Sequence, residues 1–291
     1  MAKLIVLQGL PASGKSTKAK ELMDQYGNFV RLNRDLLRTM LHFDKWNGRN
    51  EGITRDIQIS IARKLLSDNQ NVIVDDTNLG KNHIATWKTI AKETDSKVDV
   101  INIDTPIEEC IERDSHRDKM VGREVIYKLA MKYGRFRTKN GYLICDIDGT
   151  IANLDHRLHY VKQDPKDWKG FFSCIMDDLP RKDIIESVYN RVIKDDLDLV
   201  FVSGRSVECE EQTKEWIKLN APQLYAVYKA LIMRDFHDRR EDNLVKKDIL
   251  NTYFDKSKVM VVYDDRPQVL RMWREELEDT EINDVGSGIE F

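Results

Sequence analysis

The sequence is short of cysteine and has no long apolar run. Its four cysteines, Cys110, Cys145, Cys174 and Cys209, lie far apart among 291 residues. No C-x-x-C pair occurs, which leaves a thiolate zinc site or a dithiol redox centre without support. Sparse, unpaired cysteine suits a reducing compartment. No stretch approaches the ~18 apolar residues that a membrane span needs. The first apolar run, Leu4–Leu7, is too short for a signal peptide. These absences predict a cytoplasmic protein with no membrane contact. A dominant charge is missing too: 47 Lys and Arg stand against 50 Asp and Glu, a formal net charge of −3. Any nucleic-acid contact must therefore use local basic clusters. There is no internal repeat and no low-complexity tract.

What is present is an alternation of strands and helices. With 41% hydrophobic residues, the length suits one large domain or two of ordinary size. Leu4–Leu7, Phe29–Leu32, Asn71–Val74 and Val98–Ile103 read as strands. Ser16–Tyr26, Ile53–Leu66, Ile84–Lys92, Ile107–Arg113 and Arg123–Tyr133 read as helices. The pattern lapses over Gly134–Gly141, a basic stretch read as a linker or, alternatively, a surface loop. A second series follows, with strands at Tyr142–Cys145, Leu197–Val202 and Val259–Val262. Its helices are Ile184–Lys194, Glu210–Leu219 and Leu244–Asn251. Such alternation predicts an α/β fold with parallel sheets, divided into residues 1–137 and 141–291.

The candidate functional residues follow the carboxyl ends of strands, where open α/β sheets bind ligands. Gly9, Gly14, Lys15 and Ser16 fit G-x-x-x-x-G-K-[ST], a phosphate cradle opening a helix. Backbone N–H groups of this loop, from Gly9 through Ser13 to Thr17, would wrap a nucleoside triphosphate. Lys15 supplies a point charge, and the Ser16 hydroxyl can hold Mg²⁺. Asp35 follows the second strand and can take a proton from an acceptor hydroxyl. Arg38, three residues on, could clamp an acceptor phosphate if a helix starts there. A capping Asp35 and a solvated Arg38 are the alternative. Asp76, Thr77 and Asn78 could reach metal or acceptor, or form an Asx turn. Arg113, Arg117 and Arg123 could neutralise a transferring phosphoryl group, or be an ordinary charged helix face.

In the second series, Asp146-Ile147-Asp148-Gly149-Thr150 follows a strand. If the chain stays extended, Asp146 and Asp148 share a side. One could attack phosphorus and the other protonate the leaving oxygen. Their mutual repulsion calls for Mg²⁺, with Asp264 and Asp265 as further ligands. Ser203 and Lys246 can bind phosphoryl oxygens, although Lys247 is adjacent. Arg205 could bind a substrate phosphate.

GLPASGKS, NRDLLR, DDTN and the Arg113/Arg117 pair resemble the kinase domain of phage-type polynucleotide 5′-kinase/3′-phosphatases. DIDGT, VSGR and YDDRPQVLRMWR resemble the haloacid-dehalogenase-type phosphatase domain of the same family. The resemblance implies an N-terminal P-loop kinase domain and a C-terminal Rossmannoid phosphatase domain, with Leu154–Leu179 as a small cap. It implies Lys15, Ser16 and the lid residue Arg117 on ATP, Asp35 as general base and Arg38 on the acceptor phosphate. It further implies Asp146 as nucleophile, Asp148 as general acid, Ser203 and Lys246 on phosphate, and Asp264 on Mg²⁺ with Asp265 nearby. The expected function is healing of RNA or DNA ends, by adding 5′-phosphate from ATP and removing 3′-phosphate or 2′,3′-cyclic phosphate. A homotetramer, in host cytoplasm if phage-encoded, follows by family analogy only. A small-molecule kinase–phosphatase and a non-catalytic nucleotide-binding module are the competing readings. Two departures stand out: Ala12 where glycine is common, and Pro267 where threonine is expected.

Overall fold

The computed structural model describes residues 1–286. The last five residues of the expected second domain lie outside that range. Packing divides the chain into Met1–Tyr133 and the residues from Gly134 onward.

The first unit is built on four parallel strands: β1 (Lys3–Gln8), β2 (Phe29–Leu32), β3 (Asn71–Asp75) and β4 (Lys97–Asn102), in the order β2-β3-β1-β4. Alternation along β1 separates two cores. Leu4 and Val6 pack with Val72, Val74, Ala62, Leu66 and Trp87. Ile5 and Leu7 face the other way, onto Ala19, Leu22 and Ile73. Helix α1 (Lys15–Tyr26) therefore covers one face. Helices α3 (Gly48–Ser67) and α4 (Lys81–Glu93) cover the other. Between β2 and α3 lies α2 (Arg34–His42), which buries no side chain. Asn33 caps it, its side chain accepting the Leu36 N–H at 2.9 Å.

The loop from β1 into α1 contains two residues in the left-handed region, Gly14 at φ 96° and Ala12 at φ 57°. Glycine adopts this conformation freely and alanine does not. Ala12→Gly should thus raise stability by about 0.5–1 kcal/mol, the relief of strain minus glycine's larger unfolded-state entropy. A thermal melt checks this; a lower Tm would show that the alanine methyl makes a compensating contact.

The second unit has a five-stranded parallel sheet in the order β11-β10-β5-β8-β9. Its strands are β5 (Tyr142–Cys145), β8 (Asp198–Ser206), β9 (Ala230–Arg234), β10 (Val259–Asp264) and β11 (Glu281–Asp284). Two short antiparallel strands, β6 (Ala152–Asn153) and β7 (Leu179–Pro180), bracket an insertion. That insertion has its own small core of Leu154, Val161 and Phe171, the cap expected from sequence. Both edge strands, β9 and β11, escape the sequence reading. Pro267 opens the helix Pro267–Glu276, at a position where no N–H is needed. The departure from threonine is accommodated there.

Candidate active sites

At the end of β1, Lys15 is buried and its Nζ donates to the carbonyls of Gly9 (3.2 Å) and Leu10 (2.5 Å). Burial lowers its pKa to about 8, against the attraction of Asp75. The Ser16 hydroxyl donates to Asp75 Oδ2 at 2.8 Å, and Arg31 Nε donates to the same oxygen at 2.8 Å. The other Asp75 oxygen is buried with no hydrogen-bond partner. An orphaned carboxylate oxygen beside the loop serine suits a hard divalent cation. Asp75 and Ser16 would hold it, the pairing P-loop proteins use for Mg²⁺. Asp75, not its neighbour Asp76, is the aspartate that meets the loop serine. The apolar strand NVIV ending in aspartate was the available signal.

Asp76 has a different environment. Its Oδ1 accepts the Arg34 backbone N–H at 2.8 Å and its Oδ2 accepts from Gln58 Nε2 at 2.7 Å. Burial raises its pKa. With both oxygens engaged, Asp76 fastens the first turn of α2 rather than offering a free ligand. That turn carries Asp35, exposed, whose Oδ1 lies 2.7 Å from Arg38 Nη1. Glu51 on α3 also binds Arg38, with Nη2 to Oε2 at 3.0 Å. Its hydrogen bonds, then Asp35, push the Arg38 pKa above its ordinary value.

Arg113 and Arg117 belong to the helix α5 (Ile107–Ser115) and the segment after it. Arg113 pairs with Glu109, and its Nη1 lies 3.5 Å from where a Cβ on Gly14 would stand. Arg117 reaches Asp114 at 3.3 Å and is half-exposed. Thr17 is exposed in the first turn of α1, and Ser13 is buried with an unpartnered hydroxyl.

In the second unit, Asp146, Asp264 and Asp265 each offer an oxygen within 4.8 Å of the others. Lys246 is fully buried among carboxylates, its Nζ 2.8 Å from Asp146 Oδ1, 2.8 Å from Asp264 Oδ2 and 3.5 Å from Asp242 Oδ2. Burial depresses its pKa, but the three carboxylates outweigh that and hold it well above the usual lysine value. Lys247 points elsewhere and pairs with Glu276. Burial, against Lys246 and with added repulsion from Asp264, raises the Asp146 carboxyl. Asp265 is pushed up to about 7 by burial and then by Asp264. Its Oδ1 is buried without a partner. Three acidic oxygens, one of them orphaned, fit Mg²⁺.

Two glycines make room for this cluster. A Cβ on Gly149 would stand 1.9 Å from Asp265 Oδ2, and its φ is +78°. A Cβ on Gly204 would stand 2.1 Å from Asp242 Oδ1. The glycines of DIDGT and VSGR are thus packing requirements of the acidic centre.

The Asp148 carboxylate is not among the three that come together. β5 ends at Cys145, before either aspartate, and Asp148 still stands near enough to Asp265 for its charge to act there. The Asp148 carboxylate instead meets Arg205 Nε at 3.0 Å and Arg157 Nη2 at 2.6 Å. Burial would raise its pKa, but Arg205 and then Arg157 outweigh that and hold it far below the usual range. Both arginines also bind Asp178, through Arg157 Nε at 2.6 Å and Arg205 Nη2 at 2.9 Å. Ser203 is buried, its hydroxyl accepting the Arg205 N–H at 3.2 Å.

Residues 140–285, half of the chain, match the family model of the polynucleotide kinase PNKP phosphatase domain. The chain belongs to this family. Ahead of the phosphatase domain, residues 4–135 match an AAA domain. One relative, from Autographa californica nuclear polyhedrosis virus and named as a bifunctional polynucleotide kinase/RNA ligase, is 31% identical over 319 residues. That match covers 99% of this chain and 43% of the viral protein. An L-seryl-tRNA(Sec) kinase of Methanococcus maripaludis is 30% identical, over 53% of this chain and 61% of its own length. The chain thus spans about half the length of these curated relatives. A chain in the Pnkp1/Rnl/Hen1 RNA repair complex is 26% identical, with 99% and 97% coverage and a TM-score of 0.43. Among the residues of the phosphatase domain described above, Arg157, Asp178 and Asp242 escaped the sequence reading. They lie in segments with no short motif, and only packing brings them to the site.

Proposed function

We propose that this chain heals broken polynucleotide ends, adding phosphate to a 5′-hydroxyl and removing it from a 3′ end. The observation that carries this is the combination of a Lys15–Ser16–Asp75 cradle beside Asp35 and Arg38 with a lysine-centred carboxylate cluster in a polynucleotide kinase phosphatase domain. The polynucleotide kinase/RNA ligase name of the viral relative favours RNA.

In the kinase step, the 5′-hydroxyl oxygen attacks the γ-phosphorus of ATP and the bond to the β,γ-bridging oxygen breaks. ADP leaves, and Asp35 takes the hydroxyl proton. Lys15, the loop N–H groups and Arg117 hold the triphosphate. Arg38, ordered between Asp35 and Glu51, binds the phosphate 3′ to the acceptor nucleoside.

In the phosphatase step, Asp146 attacks the 3′-phosphate and the P–O3′ bond breaks, leaving an aspartyl-phosphate. Asp148 gives the leaving oxygen a proton, then takes one from the water that hydrolyses the intermediate. In the free protein Arg157 and Arg205 keep Asp148 ionised. We therefore read these arginines as turning partly toward the incoming phosphate, which lets Asp148 take up a proton. Ser203 and Lys246 bind the phosphoryl oxygens. Asp146, Asp264 and Asp265 would hold Mg²⁺, which when bound supplies charge neutralisation at phosphate. Light scattering tests assembly as a homotetramer.

The direct experiment incubates the protein with a 5′-hydroxyl, 3′-phosphoryl oligonucleotide, ATP and Mg²⁺, using matched RNA and DNA. Gain of 5′-phosphate and loss of 3′-phosphate are expected; neither occurring ends this reading. Asp35→Asn should lower 5′-phosphorylation by about a hundredfold or more and leave 3′-phosphate release intact. Loss of both activities in a folded variant would contradict separate sites.

A further inference from the structure

Four large apolar side chains next to the proposed acceptor site are left outside any core. Leu36 and Met40 on α2 are exposed, and in the loop that follows Phe43 is 87% exposed and Trp46 73% exposed. Leu36 and Met40 stand at i and i+4, on one side of α2, and Phe43 caps the end of the helix. Folding gains nothing from aromatic rings held in water. An exposed apolar patch marks a binding surface, and these four side chains fall within one short segment.

The loop is nevertheless firmly held. Phe43 and Asp44 are both in the left-handed region, at φ 49° and 63°. Such strain persists only where surroundings impose it. Here the Phe43 N–H donates to Thr39 O at 3.0 Å, and Lys119 donates to Asp44 Oδ2 at 2.5 Å. Asn50 Nδ2 donates to Lys45 O at 2.8 Å, and Asn47 caps α3. The two rings are therefore displayed on a fastened backbone. The cations Lys45 and Arg49 stand exposed beside them. Phe43 directly follows the last residue of α2, and the helix from Asp35 to that end spans about 12 Å.

We infer that Phe43 and Trp46 form a stacking platform for bases of the 5′-hydroxyl strand beyond the acceptor nucleotide, with Lys45 and Arg49 near its phosphates. The inference rests on the kinase reading and adds where the strand runs. Aromatic rings interleaved with cations are the chemistry of single-strand binding, since every base has a face to stack and every linkage a charge. The loop directly continues the helix that carries Asp35 and Arg38, which favours a strand over a protein partner.

The test compares KM for a ten-nucleotide 5′-hydroxyl strand with KM for a nucleoside 3′-monophosphate, in wild type, Phe43→Ala and Trp46→Ala. Each alanine should raise the long-strand KM at least about fivefold more than the short-acceptor KM, the low end for losing one stacked base. Trp46→Phe should recover most of the loss. Equal effects on both acceptors would mean a structural role and overturn the platform. No effect on either would overturn it too and leave the surface to a protein partner. If wild type phosphorylates no acceptor, the kinase reading has failed. The platform is then judged by strand-induced quenching of tryptophan emission, expected in wild type and reduced in Trp46→Phe; equal quenching in both would overturn it.

Discussion

Asp146→Asn stops phosphate release from a 3′-phosphoryl oligonucleotide, a loss of at least about a thousandfold, while 5′-phosphorylation continues at the wild-type rate. The amide keeps the shape of the carboxylate and loses its nucleophilic oxygen. The fold should tolerate this change. Asp146 sits in a group of buried acids whose repulsion and desolvation oppose its charge. Lys246 keeps Asp264 and Asp242 as partners after the substitution. The variant should therefore melt no lower than wild type. End-group assays on one doubly modified substrate, with a thermal melt, read all three quantities. Residual 3′-phosphatase near the wild-type level would remove Asp146 from the nucleophile's role. Joint loss of the kinase would contradict separate sites.

Lys246→Met has the opposite balance. Methionine nearly fills the volume of lysine but brings no charge, and Asp146, Asp264 and Asp242 are left facing one another. Removing one partner from a buried ion cluster costs about 3–5 kcal/mol. For a domain of this size, that corresponds to a fall in Tm of about 6–20 °C. Mg²⁺ binding should offset part of the loss, so the melting temperature of the variant rises more steeply with Mg²⁺ than that of wild type. 3′-Phosphatase activity should vanish together with the lysine. Calorimetry across a Mg²⁺ series gives the answer. A variant that melts with wild type in the absence of Mg²⁺ would mean that these acids are largely protonated and need no counter-charge. Lys247→Met, which removes a surface partner of Glu276, should do neither.

Much of the fold was legible because its signals are local. Apolar runs of four to six residues, each followed by a turn and a helical pattern, become the strands of both parallel sheets. The edge strand β11 was not legible for the same reason. Glu281–Asp284 is polar and half-exposed, so burial leaves little mark on its sequence. Helix α2 was conditional because it buries nothing, and its apolar residues follow no core.

The sequence by itself determined where phosphate chemistry could sit: a glycine-lysine loop after the first strand, and acidic or basic tips after later ones. These depend on residues close together in the chain, and backbone geometry fixes what they can do. Only the tertiary structure decided between neighbours. Asp75 and Asp76 lie at a strand end where successive side chains point to opposite faces, so one meets Ser16 and the other the start of α2. Lys246 and Lys247 are about 100° apart on a helix, so one enters the acidic cluster and the other stays at the surface. The Asp148 carboxylate is held by two arginines instead, Arg157 from the cap and Arg205 from the end of β8. A sequence names the side chains, but which of two adjacent ones faces a site depends on elements that pack against them from far along the chain.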